Sequence, residues 1–518
     1  MSPTVPRPTP AQRRFERGLR TLKALQASGR RVYQSHELPR RERETLVAQK
    51  YLMPVIKGWY MASSPFDAPG DSTVWYASVR DFIGGYCDQR FGDAWHLSPH
   101  HSLLVRSGAT TAPAQWLVYA EEGTRQPLGL PAGCSVFIAG PLKDVDTAHV
   151  ERVGPLRIMT LATALVHVSD AFFEASPVDA HLALAQLTDA ADLNRLLLRG
   201  HPVIAGRLAG ALRAVHRPAL ADDVVATMRA VGHSVTETQP FRTPRPTLGH
   251  RFAPSPYVQR LRLMWADMRA HIDQAFATAP GLPADPASYL DAVKDVYTTD
   301  AYHSLSIEGY QVTDALITRV ARGDWNPELH AQDRDAKHAM AAHGYFLAHQ
   351  VVRKSLHDVL RGDSAADIFA RDHGTWYRQL FQASVAAKLV TIDDLAGYRA
   401  EPVFIRNAMH VPPPFHAARQ MMPELCALLA DEPSAAVRAV LGHFGFVYIH
   451  PYTDGNGRIG RFLMNVMLAS GGYPWTVIPV TRRPAYMNAL NAASSRGDIV
   501  PFTQFIASCV GVAAPPAP

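Results

Sequence analysis

The sequence has little of what builds a disulfide scaffold or a zinc ribbon. Its 518 residues include four cysteines, Cys87, Cys134, Cys426 and Cys509, far apart and without a CxxC pair. That spacing excludes a cysteine-based zinc ribbon and argues against an oxidised secreted framework, so a reducing cytoplasm is the expected setting. Charged residues are also modest in number, at 19%, against 47% hydrophobic residues, a globular balance that argues against disorder along most of the chain. No apolar run approaches the ~18 residues of a membrane span, and no membrane partner is expected. Residues 1–10 are Pro-rich and lack an apolar stretch; they read as a disordered start and not as a signal peptide.

What is present is unevenly distributed. The length predicts about three domains. The net charge is +6, yet residues 1–50 alone hold twelve Lys or Arg against four Asp or Glu. A basic end on a near-neutral body suggests an anionic partner for that end, most often nucleic acid. A solvated basic helix without a partner is the alternative.

Within that end, Phe15, Leu19 and Leu22 recur at helical spacing over residues 11–27, and Gly29 stops the pattern. Ser35 reads as the N-cap of a short helix through Leu38, and Pro39 opens a helix over 40–50. Residues 51–61 then read as a strand pair with a turn at Lys57–Gly58. Three short helices and a hairpin are the order of a winged helix-turn-helix, expected over 11–64. It would set Arg40, Arg41, Arg43 and Lys50 on or beside the helix that enters a major groove. The stretch, ending in Lys57-Gly58-Trp59-Tyr60, resembles the winged-helix start of antitoxins from abortive-infection systems. That resemblance implies DNA binding, or a protein-docking module of the same shape.

Residues 65–231 read as a mixed α/β domain, with strand-like runs at 102–106, 116–120 and 135–138 and a helical tail over 178–215. The same antitoxins carry a mixed domain here. The region has no metal-ligand spacing, nucleophile elbow or phosphate loop, and the adjacent pair His100–His101 reads as structural or exposed. Prolines 240, 244, 246, 254 and 256 mark a linker over 232–256. Residues 257–512 follow as a succession of helical patterns, with a loose tail after them.

Chemistry concentrates in residues 450–461, His-Pro-Tyr-Thr-Asp-Gly-Asn-Gly-Arg-Ile-Gly-Arg. Gly455, Gly457 and Gly460 satisfy a bare dinucleotide fingerprint, but that reading needs a preceding strand and an acid about 20 residues on. Residues 435–449 carry a helical period instead, and the next carboxylate after Asp454 is Asp498. What remains is helix, polar loop, helix, the second starting near Arg458. A Gly-Asn-Gly loop at a helix N-terminus converges backbone N–H groups on an anion. Arg458 and Arg461 share a face there, where cations oppose the macrodipole, which makes sense if a polyanion offsets the cost. From Gly455 to Gly497 there are five arginines and no acid, which suits a triphosphate. Asp454 suits Mg²⁺, and His450 stands where a general base could reach a hydroxyl.

This segment closely resembles the signature of the Fic (Fido) family, His-Pro-Phe-x-(Asp/Glu)-Gly-Asn-Gly-Arg-x-x-Arg, with Tyr452 in place of Phe. The resemblance extends over residues 255–510 and implies a mainly α-helical Fic fold at the C-terminus of a multidomain chain. It also implies transfer of AMP from ATP to a protein Ser, Thr or Tyr hydroxyl. In that family's terms His450 is the base and Asp454 holds Mg²⁺. Gly455, Asn456, Gly457 and Gly460 belong to the phosphate cradle, and Arg458 and Arg461 take the β/γ end. Ser304-Leu-Ser-Ile-Glu308-Gly309 resembles the family's inhibitory motif, in which the glutamate pairs with the second arginine, here Arg461. Residues 401–414 resemble its target-docking flap, two short β-runs (Val403, Phe404, Ile405 and Met409, His410, Val411) around a turn at Asn407–Ala408. Dimerisation is common in the family, so a homodimer is a further expectation. Two other readings stay open: a DNA-binding, antitoxin-like regulator whose Fic part senses nucleotide, and removal of AMP at the same site.

Overall fold

The computed structural model describes residues 9–27, 29–65, 73–241, 255–324, 336–386, 392–405 and 408–511. Residues 1–8 of the expected disordered start, 242–254 of the expected linker, Asn407 of the expected turn and the tail from 512 lie outside them. The chain divides into two units, residues 1–244 with 404–411, and residues 245–403 with 412–518.

The first unit opens with α1 (Pro10–Gln26), started by a Thr9–Gln12 capping box and Pro10 at its first position. Strand β1 (Val32–Gln34), helix α2 (Arg40–Ala48) and strands β2 (Leu52–Ile56) and β3 (Trp59–Ala62) follow. The strands form one antiparallel sheet in the order β1-β3-β2. The expected short helix at 35–38 is absent; a turn stands there. Glu37 accepts from the Gln34 amide and the Arg30 guanidinium, and Arg43 donates to the carbonyls of Ser35 and Leu38. Those contacts satisfy the polar groups a helical turn would have used, so two helices and a three-stranded sheet replace three helices and a hairpin.

The rest of the unit has α3 (Thr73–Phe91), β4 (Trp95–Leu97), α4 (Pro99–Arg106), β5 (Gln115–Ala120), β6 (Leu128–Gly129), β7 (Ser135–Ala139), β8 (Val150–Val153) and β9 (Leu156–Met159). A four-stranded sheet runs β4-β5-β7-β6, parallel only between β5 and β7, and β8 pairs with β9. Residues 102–106, expected as a strand, are helical. Ser98 caps α4 by accepting from the His101 amide and Pro99 opens it, a start signal that outweighs a short apolar run. His101 is buried and accepts from the Leu117 amide through Nδ1. Helices α5 to α10 occupy 161–230 around a Leu/Ala-rich core.

The second unit is helical among its described residues: α11 (Pro256–Arg269), α12 (Pro286–Asp295), α13 (Tyr297–Ile307), α14 (Asp314–Arg322), α15 (Ala336–Leu360), α16 (Ala365–Ala386), α17 (Phe415–Asp431), α18 (Ala435–Ile449), α19 (Asn456–Ala469), α20 (Arg483–Arg496) and α21 (Val500–Val510). Helix α18 is apolar on nearly every side, and α19 is buried along nearly its whole length, its polar Asn456, Arg458, Arg461 and Asn465 included, so they form the centre of the unit's large core. The loop between them is thereby carried on rigid elements.

Candidate functional site

Helix α18 ends where His450 takes a left-handed backbone conformation, φ 52°. The chain re-enters helix through Gly455, φ 79°, the N-cap of α19, a position that favours glycine. Between them the loop is locked by Asn456, whose side chain accepts from the Tyr452 amide (3.0 Å) and donates to the Tyr452 carbonyl (2.9 Å). Tyr452 is buried and stacks on Tyr377 at 3.8 Å and 7°. Its departure from Phe is thus a packing substitution.

His450 Nδ1 lies 3.1 Å from the Val447 carbonyl. A carbonyl only accepts, so Nδ1 carries the proton and Nε2 is left as the acceptor. Burial pushes its pKa down to about 4, against the opposing pull of the Val447 bond and with a further lowering by Arg399. The imidazole is neutral at physiological pH, as a general base requires.

The first turn of α19 presents the two arginines. Arg458 is 1% exposed, lies between the rings of Tyr310 (5.2 Å) and Phe381 (5.0 Å), and reaches Asp454 at 3.3 Å. Arg461 donates to Ser304 Oγ (2.9 Å), to the Ser304 carbonyl (3.0 Å) and to Glu308 Oε1 (2.7 Å). Burial works against the charge on Arg461, but the carboxylate of Glu308 more than offsets it and holds the guanidinium above its ordinary range. Among the described residues, Arg458 Nε and Arg461 Nη1 are buried without a hydrogen-bond partner. Two orphan donors at a helix N-terminus are a fitting test for an anion, because such groups are costly to leave unmade.

Glu308 follows α13 as its C-cap, with Gly309 at φ 86° turning the chain away. Its carboxylate sits over Gly457: a Cβ there would lie 2.2 Å from Glu308 Oε1. An acidic side chain of the chain itself therefore occupies the cradle. Asp454 is 61% exposed on its side chain, with one oxygen accepting from the Gly455 amide. One accessible carboxylate beside a phosphate cradle fits Mg²⁺, which commonly takes one or two carboxylates plus substrate phosphates. Among the described residues there is no cluster of three or more His, Cys, Asp or Glu for a metal.

Two expected cradle residues have other tasks. The side chain of Asn456 is spent on the loop, leaving only its backbone for an anion. Gly460 faces α18, where a Cβ would lie 3.1 Å from Val447 Cγ2, so the absence of a side chain serves helix packing there. Among the described residues, the two runs of the expected flap hairpin do not pair with each other. Val403, Phe404 and Ile405 are irregular, Met409 is 41% exposed, and His410 forms an antiparallel bridge with Thr111. In the first unit the Val411 amide also donates to the Thr110 carbonyl, and Arg31 lies 4.0 Å over the Phe404 ring. The strand-pairing groups near His410 and Val411 are thus taken by residues 110–111.

Of the four residues proposed for a DNA groove, Arg41 and Lys50 are exposed, Arg40 pairs with Glu44, and Arg43 is engaged by the turn carbonyls and Tyr60. No helix among the described residues is long and apolar enough to cross a membrane. Sequence reasoning missed Tyr310 and Phe381, which have no motif signature. It also missed Asp300, one turn before Ser304, whose carboxylate accepts from the Tyr345 hydroxyl at 2.7 Å. A cleft of about 980 Å³ adjoins the loop, lined by Arg371, Arg378, Tyr398, Arg419, Tyr452 and Thr453 among others.

Residues 370–468 match the Fic/DOC family. Protein adenylyltransferase Fic of Drosophila melanogaster is 31% identical over 229 residues, 42% of this chain and 41% of that protein. The protein of the same name from Nematostella vectensis is 30% identical over 263 residues, 47% of this chain and 54% of that one. The chain spans about half the length of these curated relatives. A solved structure of Fic-1 from C. elegans is 18% identical, covering 65% of this chain and 96% of that one, with a TM-score of 0.35.

Proposed function

We propose that this chain, which carries a Fic/DOC segment over residues 370–468, transfers AMP from ATP to a Ser, Thr or Tyr hydroxyl of a protein, and that Glu308 restrains it. The hydroxyl oxygen attacks the α-phosphorus in line, the bond to the β-phosphate oxygen breaks, and pyrophosphate leaves. His450 Nε2 takes the hydroxyl proton; the Val447 carbonyl keeps the ring in the tautomer that can do so. Backbone N–H groups at the start of α19, with Arg458 and Arg461, receive the phosphates. Asp454 would hold Mg²⁺, which supplies neutralisation of phosphate charge.

The observation that carries this reading is the carboxylate of Glu308 lying over Gly457 and bound to Arg461. A self-supplied anion in an anion cradle is the arrangement of a competitor for the triphosphate. A charge-assisted hydrogen bond of this kind contributes about 1.5–3 kcal/mol, a tenfold to hundredfold handicap for a triphosphate that must displace it. The exposure of Arg40, Arg41 and Lys50 within the basic first fifty residues supports an anionic partner for that end of the chain.

Incubation with α-labelled ATP and Mg²⁺ tests the reading. Glu308→Gly is expected to label protein at least tenfold faster than the parent chain, and His450→Ala placed in that variant to abolish the label. Absence of label from Glu308→Gly on itself and on added protein would overturn the transfer reading. Equal labelling by the parent and by Glu308→Gly would remove the restraint alone.

A further inference from the structure

Arg399 is 2% exposed, and among the described residues it forms no ion pair with a carboxylate. Burial lowers its pKa to about 10, so it remains charged at neutral pH. A buried charge without a counter-ion is expensive unless hydrogen bonds and dipoles offset it. Here main-chain carbonyls do so. Nε donates to the His450 carbonyl (2.8 Å), Nη1 to that of Glu401 (3.1 Å), and Nη2 to that of Pro413 (2.5 Å), with a longer contact to Ile449 (3.4 Å). The Arg399 amide donates to the Pro451 carbonyl at 2.9 Å. Ile449 and His450 end α18, where the macrodipole favours a cation.

The three nitrogens therefore hold three separate pieces of chain. One is the turn of His450, whose positive φ is uncommon for a residue with a side chain. The others are Glu401 and Pro413, the two ends of the segment expected to dock a target. A lysine ammonium has three donors on one nitrogen, whereas the planar fork reaches the separated carbonyls of His450, Glu401 and Pro413 through three different nitrogens. Neither the phosphate cradle nor any exposed surface uses this side chain.

We propose that Arg399 is a positioning residue that fixes His450 and both ends of the target-docking segment in one register, so that base and incoming hydroxyl meet at a set distance. This rests on the AMP-transfer reading above. Loss of the fork loosens the transfer geometry and leaves the nucleotide cradle of Gly457, Arg458 and Arg461 intact. Reaction rate and ATP binding then separate.

The test uses full-length Glu308→Gly with Arg399→Lys or Arg399→Met added, and follows self-labelling by α-labelled ATP. At saturating ATP the rate is expected to fall at least tenfold in both variants. The half-saturating ATP concentration should stay within twofold, and the melting temperature of the Lys variant within a few degrees. A merely structural role would lower the melting temperature and the fraction of molecules that bind ATP, with the rate per binding molecule unchanged. That result overturns the proposal, as does a shift of the half-saturating ATP concentration in step with the rate. A second measurement is independent of activity: ¹⁵N NMR of the histidine rings, with the His450 signal assigned by its loss in His450→Ala. Arg399→Lys should shift that signal or mix its tautomers, and an unchanged signal overturns the assignment. If Glu308→Gly itself fails to label, the transfer reading falls and the NMR result still decides the role of Arg399.

Discussion

At the scale of single residues, the site is governed by which charges the fold lets stand. His450 is held neutral by burial, with Glu308 and Asp454 pulling its pKa up and Arg399 pulling it down. Its folded pKa of about 4 lies below the ordinary 6.5, so the neutral base is present above pH 4 and lost only as pH falls through it. The transfer rate of Glu308→Gly should accordingly stay flat from pH 8 to pH 5. An acid limb centred near 6.5 would mean a solvated imidazole. Asp300 shows the opposite displacement, raised to about 6 by burial although Tyr345 and Arg461 favour its charged form. The native state therefore loses stability as pH rises through 6, where a buried carboxyl must ionise, and keeps it below the unfolded value near 4. Asp300→Asn, whose amide oxygen can still accept from Tyr345, should be more stable than the parent by about 3 kcal/mol at pH 8. The difference should close by pH 4, as read by urea denaturation at each pH.

At the scale of elements, close backbone approach sets the scaffold around the loop. A Cβ at Gly344 in α15 would lie 2.0 Å from the Leu380 carbonyl oxygen of α16, so the two helices can sit this close only over a glycine. Backbone on both sides leaves no soft atom to yield, and Gly344→Ala should lower stability by roughly 1–3 kcal/mol. Tyr377 and Phe381, which pack against Tyr452 and Arg458, both belong to α16. A fall in self-labelling is expected beyond the loss of folded protein, checked by labelling per ATP-binding molecule. The start of α2 after Pro39 was legible, whereas Thr9 and Pro10, expected in the disordered start, open α1 through a Thr9–Gln12 capping box. Residues 102–106 were misread because a short apolar run carries no period of its own, and Ser98-Pro99 decided it as helix. Residues 35–38 were misread because Ser35 resembles an N-cap, while Glu37, Arg30 and Arg43 close a turn there.

At the scale of the whole molecule, the chain has separate hydrophobic cores. The buried members of one lie between Val258 and Val510, and those of the others between Leu22 and Val235. Units with cores of their own depart from two-state unfolding, so calorimetry should resolve more than one transition. Leu165→Ala, in the core of helices α5 to α10, should lower one of them while leaving another in place, because a buried Leu→Ala change costs about 2–5 kcal/mol where it occurs. The loop over residues 450–461 could be read from the sequence alone because its conformation and charge are local. Twelve consecutive residues specify a helix end, a polar loop and a helix start, and with them the expected base, carboxylate and cradle. The same holds for the basic first fifty residues, whose charge does not depend on folding. The pairing of Glu308 with Arg461 was expected only through the family resemblance; no local spacing encodes it, since the two are 153 positions apart and meet only through the packing of the helices between them. Tertiary structure decided that Gly460 serves helix contact, that Asn456 clamps its own loop, that residues 110–111 pair with the His410 segment, and that a lone guanidinium at Arg399 ties three strands of backbone together. Local spacing encodes conformation and charge; which distant groups share a buried space is settled only when the apolar faces close.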